Sequence, residues 1–187
     1  MLVLASASLR RQELLRKAGI EFVVRPAAIP EVPLEGEAPV DFARRMASEK
    51  ARRVWAGDEE SYVLGADTVV EVGDLALGKP RDEQDAARML GLLSGRSHRV
   101  TTGVCLIGKG FEDLRSESTS VEFRPLTDSE IRAYIQSGEP MDKAGAYAIQ
   151  GKAGRWVAKI EGDYSNVVGL PVALVVDILR EHGAIPA

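Results

Sequence analysis

Four stretches of this chain carry residues able to act on an anion or on water. The first is Ser6-Ala7-Ser8-Leu9-Arg10-Arg11, where a short apolar run gives way to a helical pattern. A helix N-terminus offers free backbone N–H groups and partial positive charge, and two hydroxyls and two guanidinium groups add donors. The segment is therefore an anion site or an ordinary helix cap with solvated arginines. The second is Gly65-Ala66-Asp67-Thr68-Val69-Val70. Asp67 interrupts the β-forming run Tyr62–Val72, where aspartate is disfavoured. It either ends a strand or presents a carboxylate as base or metal ligand. The third, Gly73 to Pro80, follows a phosphate-loop pattern until Pro80 replaces the hydroxyl residue that should touch magnesium. Leu75-Ala76-Leu77 is strand-like, so that loop is rejected, and Lys79 stays as a phosphate ligand or a solvated cation. The fourth, Asp142 to Gly151, is rich in small residues that let a ligand approach the backbone. It presents Gln150, an amide with both donor and acceptor, although an ordinary turn leading into a strand reads equally well. Lys50, after Ser48-Glu49, adds a cation on a helical pattern. With only His98, His182 and Cys105, neither a Ser-His-Asp triad nor zinc spacing can be built. Carboxylates with scattered cations are the equipment of metal-assisted chemistry on an anionic phosphate compound.

The elements that must position these groups follow from periodicity. A strand over Leu2–Ala5 leads into a helix opened by Ser6 or Ser8 and stopped by Gly19. Glu21–Arg25 reads as a short strand. Residues 26–39 hold four prolines together with Glu31, Glu35 and Glu37, and read as loop. Val40–Trp55 is helical by its stripe of Val40, Ala43, Met46, Ala47, Ala51 and Val54. Tyr62–Val72 is a strand turned by Gly73-Asp74, and Asp82–Leu93 a helix with an acidic first turn. Val100–Ile107 and Ser116–Phe123 are strands, and Thr127 with Glu130 forms a capping box for a helix to about Gln136. Tyr147–Ile149 and Trp156–Ile160 read as short strands, and Pro171 starts a last helix stopped by Gly183. The class is α/β with a mixed central sheet and flanking helices.

Composition narrows the classes. With 187 residues, 45% apolar and 28% charged, the chain is expected to be a single domain over 1–187 that needs no disulfide. A net charge of −4 gives no basic footprint for nucleic acid. The lone Cys105, inside an apolar run, reads as core in a reducing compartment. The longest apolar stretch, Val167 to Leu179, is broken by Gly169, Pro171 and Asp177, so no membrane partner is expected. A soluble, cytoplasmic protein is the expectation.

Taken in order, these segments resemble the Maf family of nucleoside triphosphate pyrophosphatases. The likeness rests on Ser6–Arg11, Glu31 after Ile29-Pro30, Glu49-Lys50-Ala51, Gly65–Val70 and Lys79-Pro80-Arg81-Asp82. It continues through Ser94-Gly95-Arg96-Ser97-His98, Gly138–Gly151 and Asp163 to Pro171, covering nearly the whole chain. The resemblance implies a Maf/ITPase-like fold with two lobes around a deep nucleotide cleft, a divalent cation (magnesium or manganese) and a homodimer. It implies hydrolysis of a nucleoside triphosphate between the α and β phosphates. By likeness Asp67 activates water, Glu31 assists through the metal, and Ser6, Arg11, Lys50 and Lys79 hold the triphosphate. Asp67 as free base and Asp67 as metal ligand both remain open. Arg10, Thr68 and Gln150 match the branch acting on dTTP and UTP, whereas a 7-methyl-GTP branch carries tryptophan, glutamine and glutamate there. Departures are Leu9 for a common proline, Ala148 for glycine, and Pro30-Glu31 for a more acidic pair. A nucleotide-sensing or division-regulating binding protein is the alternative from another class.

Overall fold

The computed structural model describes residues 1–55 and 61–186. In chain order the elements are β1 (Leu2–Leu4), α1 (Leu9–Lys17), β2 (Val23–Val24), α2 (Pro39–Val54), β3 (Tyr62–Val72), β4 (Leu75–Leu77) and α3 (Glu83–Leu93). They continue with β5 (Ser97–Gly108), β6 (Phe111–Phe123), α4 (Asp128–Gln136), β7 (Val157–Glu161), α5 (Tyr164–Val168) and α6 (Val172–Glu181). The strands form one mixed seven-stranded sheet in the order β2-β1-β3-β5-β6-β7, with β4 added to β3. β3 pairs in parallel with β1 through Tyr62, Val63 and Leu64, and antiparallel with β4 through Val70, Glu71 and Val72. The α/β class with a mixed sheet and flanking helices holds.

Two compact units divide the chain. One comprises Met1–Thr68, Thr102–Glu117 and Gly169–Ala187, the other Val69–Thr101 and Ser118–Val168. In the first unit the period-two alternation of strands sends successive residues to opposite sheet faces. Leu2, Leu4, Leu64, Ala66, Val104 and Leu106 pack with Leu15 of α1 and Val175, Ile178 and Leu179 of α6. Val3, Ala5, Val63, Cys105 and Ile107 pack on the other face with Ala47 and Ala51 of α2. Cys105 is core, and burial pushes its thiol up to about 12. Two glycines set how near α2 lies. A Cβ on Gly65 would stand 2.1 Å from the Ala47 carbonyl oxygen, and one on Gly103 2.4 Å from that of Ala43.

The second unit is built around aromatic rings. Phe123, Tyr134, Tyr147 and Trp156 are all buried, and Trp156 meets Tyr134 edge-on at 4.8 Å between centroids. The capping box forms as expected, with Thr127 accepting from the Glu130 backbone N–H and Glu130 accepting in return from that of Thr127. Tyr147–Ile149 is not a strand. Its backbone is drawn away from any ladder because the Ala148 N–H donates to the Tyr134 hydroxyl at 3.1 Å. The Tyr147 hydroxyl in turn bonds His98 Nε2 at 2.7 Å, and burial holds that imidazole down at about 4, hence neutral at pH 7. Leu75–Leu77, noted as strand-like, is β4; the five-residue α5 carried no periodic signal. No helix among the described residues is long and apolar enough to cross a membrane.

Candidate active site

Gly65 and Asp67 stand on the same side of β3, two residues apart, and face α2. The missing Cβ at Gly65 lets the Ala47–Ala51 turn rest on the strand, and Lys50 lies within that turn. Its ammonium therefore reaches Asp67, with Nζ 2.6 Å from Oδ1. The same nitrogen is 2.7 Å from Glu31 Oε1. Three groups far apart in the chain thus meet at one cation: a buried lysine, a buried aspartate, and a glutamate whose side chain is 40% exposed. Burial raises the Asp67 proton affinity, and the charges of Lys50 and Arg11 oppose that rise without cancelling it. A carboxylate made more basic than usual, yet held by an ammonium, is a better proton acceptor than an ordinary solvated one.

Ala66 and Thr68 project from the opposite face of β3, and there Arg11 meets them. Ser8, rather than Ser6, caps α1 by accepting from the Arg11 backbone N–H. Ser6 Oγ accepts from the Ser8 N–H at 3.2 Å and from Arg11 Nη1 at 3.2 Å. Arg11 also donates from Nη1 to the Ala66 carbonyl at 2.9 Å, from Nη2 to Thr68 Oγ1 at 3.0 Å, and from Nε to the Gly169 carbonyl at 2.8 Å. The Thr68 hydroxyl is paired as well with Thr102 Oγ1 at 2.9 Å. Burial lowers the Arg11 pKa, with Asp67 pulling it back. Arg10, next in the chain, is half-buried. Ser6, Arg10, Arg11, Glu31, Lys50, Asp67 and Thr68 accordingly share the first unit.

Lys79 and Gln150 belong to the second unit, and both are exposed. Lys79 lies in the turn after β4, and that turn is tied to the Gln150 segment because the Gly145 N–H donates to the Gly78 carbonyl at 3.1 Å. Gly145 has φ +69, and a Cβ there would press Val70 at 3.0 Å. Ala146, with φ 61, is the one non-glycine residue at positive φ among the described residues, a conformation that is costly for an L side chain. Gln150 follows at the tip of a turn closed by the Gly151 N–H to the Ala148 carbonyl at 3.0 Å. Beneath it, the Glu139 carboxylate fills the place a side chain at Gly151 would need, 2.2 Å from an ideal Cβ. Sequence reasoning placed Gly65 in a candidate segment without seeing its packing role, and gave no role to Thr102 or Glu139. A glycine two places before an acid in a β run was a usable signal for the first, while Thr102 and Glu139 carry none.

Among the described residues no group of three or more His, Cys, Asp and Glu is placed to hold a metal ion. The donor set present is two carboxylates, Asp67 and Glu31, converging on one ammonium. Hard oxygen donors in that number suit magnesium or manganese, which take one or two carboxylates and complete their shells with water and phosphate oxygens.

The Maf-like protein family model matches residues 1–182. A protein of Koribacter versatilis named dTTP/UTP pyrophosphatase is 54% identical over 184 residues, 98% of this chain and 95% of its own. Proteins of the same name from Geobacter sulfurreducens and Symbiobacterium thermophilum are 52% and 50% identical, covering 98% and 97% of this chain and 97% and 94% of theirs. The motifs from Ser6–Arg11 to Asp163–Pro171 lie within that one continuous match, and the chain belongs to the Maf family.

Proposed function

We propose that this chain, as one domain over 1–187, is a nucleoside triphosphate pyrophosphatase that hydrolyses dTTP and UTP to the nucleoside monophosphate and pyrophosphate. The observation that carries the reading is the Lys50 ammonium held between Asp67 and Glu31. A triphosphate carries about four negative charges, so water attacks the α-phosphorus only where cations offset that repulsion. Lys50 and Lys79, with Ser6 and Arg11, are the groups the resemblance assigns to the triphosphate. Asp67 takes the proton of the attacking water, and Lys50 at 2.6 Å keeps that carboxylate ionised until it does. The bond from the α-phosphorus to the bridging oxygen then breaks, and pyrophosphate leaves. Asp67 and Glu31 are the residues that would hold a divalent cation, whose contribution is to neutralise phosphate charge and lower the pKa of water. We place the enzyme in the cytoplasm, as a homodimer.

The resemblance assigns discrimination of the base to Arg10, Thr68 and Gln150. Uracil and thymine present an N3–H beside a carbonyl, and one neutral amide pairs with both. 7-Methylguanine is cationic, which favours an aromatic face and a carboxylate and disfavours Arg10. Pyrophosphate release by purified protein with magnesium tests the reading. dTTP and UTP should be the best common substrates, and Gln150→Glu should lower their kcat/KM by ~5- to 150-fold, the range of a bidentate base contact. Comparable kcat/KM for 7-methyl-GTP would overturn the base assignment. Nucleotide binding without any pyrophosphate release would leave a sensing protein instead.

A further inference from the structure

The loop between β2 and α2 carries Glu31, and around that residue it has little apolar burial to hold it. Val32 and Leu34, on either side of Pro33, are 64% and 61% exposed. Pro30 and Pro33 have no N–H to donate. A side chain of α2 supplies the hold instead. Arg45 grips the Glu37 carboxylate in a two-point fork, Nε to Oε1 at 2.6 Å and Nη2 to Oε2 at 2.7 Å. Nη2 also donates to the Val32 carbonyl at 2.9 Å, and Nη1 to Glu49 Oε1 at 2.9 Å. Glu37 closes the turn by accepting from the Leu34 N–H at 3.0 Å, and its own N–H donates to the Leu34 carbonyl at 3.1 Å. Most exposed ion pairs contribute little, but a bidentate arginine–carboxylate pair is the geometry that does, and the Glu37 side chain is only 9% exposed. The Arg45 fork, with the Leu34 N–H behind it, draws the Glu37 carboxyl down to about 2, so this clasp stays ionised at neutral pH.

Val32 follows Glu31 directly, so a fixed Val32 carbonyl limits the directions in which the Glu31 side chain can leave the backbone. Glu31 Oε1 lies 2.7 Å from Lys50 Nζ, and Lys50 stands five residues after Arg45 on the same helix. One rigid element thus supplies both the ammonium that meets Glu31 and the guanidinium that fixes the backbone beside it. All of these residues belong to the first unit.

We propose that Arg45, clasping Glu37 and the Val32 carbonyl, is a positioning residue that presents the Glu31 carboxylate to the Lys50–Asp67 pair. This rests on the pyrophosphatase reading above, in which Glu31 is one of two carboxylates that would hold a divalent cation. Arg45 itself touches neither substrate nor cation; it acts through the loop.

The test uses the full chain as wild type, Arg45→Met, Glu37→Gln, Glu49→Gln and Glu31→Gln, with Arg45→Met and Glu37→Gln each combined with Glu31→Gln as well. Two quantities are read: the magnesium concentration that gives half-maximal dTTP turnover, and amide hydrogen exchange at Leu34 and Glu37 in metal-free protein. Arg45→Met should raise the half-maximal magnesium about 10-fold, the scale of losing a group that orients a metal-binding carboxylate, and speed both exchanges. Glu37→Gln should do the same severalfold, and Glu49→Gln, which spares the fork, should do neither. In the Glu31→Gln background, Arg45→Met should change the magnesium requirement by less than about twofold, because the carboxylate it aims is gone. Unchanged exchange in Arg45→Met, or faster exchange at an unchanged magnesium requirement, would overturn the proposal. So would a shift that persists in full in the Glu31→Gln background, or an equal shift in Glu49→Gln. Should Arg45→Met fail to fold, Glu37→Gln leaves α2 untouched and decides by the same comparisons. Wild type without dTTP turnover would refute the pyrophosphatase reading and the proposal with it, whereas an active wild type with additive effects would refute the proposal alone.

Discussion

Asp67 and Asp85 are buried to nearly the same extent, at 8% and 6% exposure, yet their protons are held in opposite directions. Asp67 lies in the first unit on β3, and burial lifts its pKa above the ordinary 3.8 despite the nearby Lys50 and Arg11. Asp85 lies in the second unit in the first turn of α3, and is pulled down to about 2. Two things differ: desolvation is the dominant influence at Asp67, whereas at Asp85 the hydrogen-bond donors outweigh it. Asp85 accepts from Nε and Nη2 of Arg88 and from the backbone N–H and Nε of Arg81, at 2.8 to 3.2 Å. A carboxylate saturated by N–H groups is a fastener and has no basicity to spare. One held by an ammonium that other anions can share keeps its basicity, and that is the carboxylate suited to chemistry.

The sharpest way to break this contrast is to neutralise each acid. Asp67→Asn should abolish turnover while leaving the fold intact, because a general base contributes ~10²–10⁴ in rate. Asp85→Asn should keep kcat/KM within about threefold of wild type and lower the melting temperature instead. More than about a tenth of wild-type activity in Asp67→Asn would remove that residue from both proposed roles. Glu31→Gln should shift the magnesium dependence of turnover by ~10- to 100-fold, as removal of a metal-associated group typically does. An unchanged magnesium titration would count against Glu31.

Backbone contact offers a gentler perturbation. Gly65→Ala drives a methyl group into the Ala47 carbonyl and should cost ~1–3 kcal/mol of stability, with a fall in kcat as α2 and Lys50 retreat from Asp67. Gly78→Ala, with open space around the position, is the control and should leave the melting temperature unchanged. Denaturation of metal-free protein across pH gives the smallest signal. Asp85 stabilises the fold above its unfolded pKa of 3.8, and that contribution fades as pH falls from there to about 2, so wild type and Asp85→Asn converge in that window. Asp67 has the opposite sign, since its folded pKa is raised. Wild type should gain on Asp67→Asn as pH falls toward 3.8, and parallel curves would show that burial does not raise its pKa.

Local signals were legible in proportion to how much of the element's energy is local. β3 was readable from Tyr62 to Val72 because the run is dense in β-branched and apolar residues despite Asp67, and α4 because its capping box is a four-residue device. The supposed strand at Tyr147 failed since the hydroxyl of Tyr134, fourteen residues earlier, takes the N–H of Ala148, which no short window reveals. In the candidate site, residue types pointed to Asp67 and Lys50 individually, while the role of Glu31 and the grouping of the three came from family resemblance rather than spacing. Their meeting depends on α2 lying against Gly65, a contact between elements. The commitment of Arg11 was likewise invisible, for its partners Ala66, Thr68 and Gly169 lie 55, 57 and 158 residues away.

The alternation along β3 also decides where this protein tolerates changes of chain length. Residues 65 and 67 serve one sheet face, and 66 and 68 the other, with α2 locking the first pair and Arg11 the second. A single residue inserted or deleted between 62 and 66 would exchange the two sets, turning the carboxylate to the α1 face and presenting to Lys50 the methyl of Ala66 after an insertion or the hydroxyl of Thr68 after a deletion. Evolution by length variation is therefore closed to this strand, where even one codon is too coarse a step.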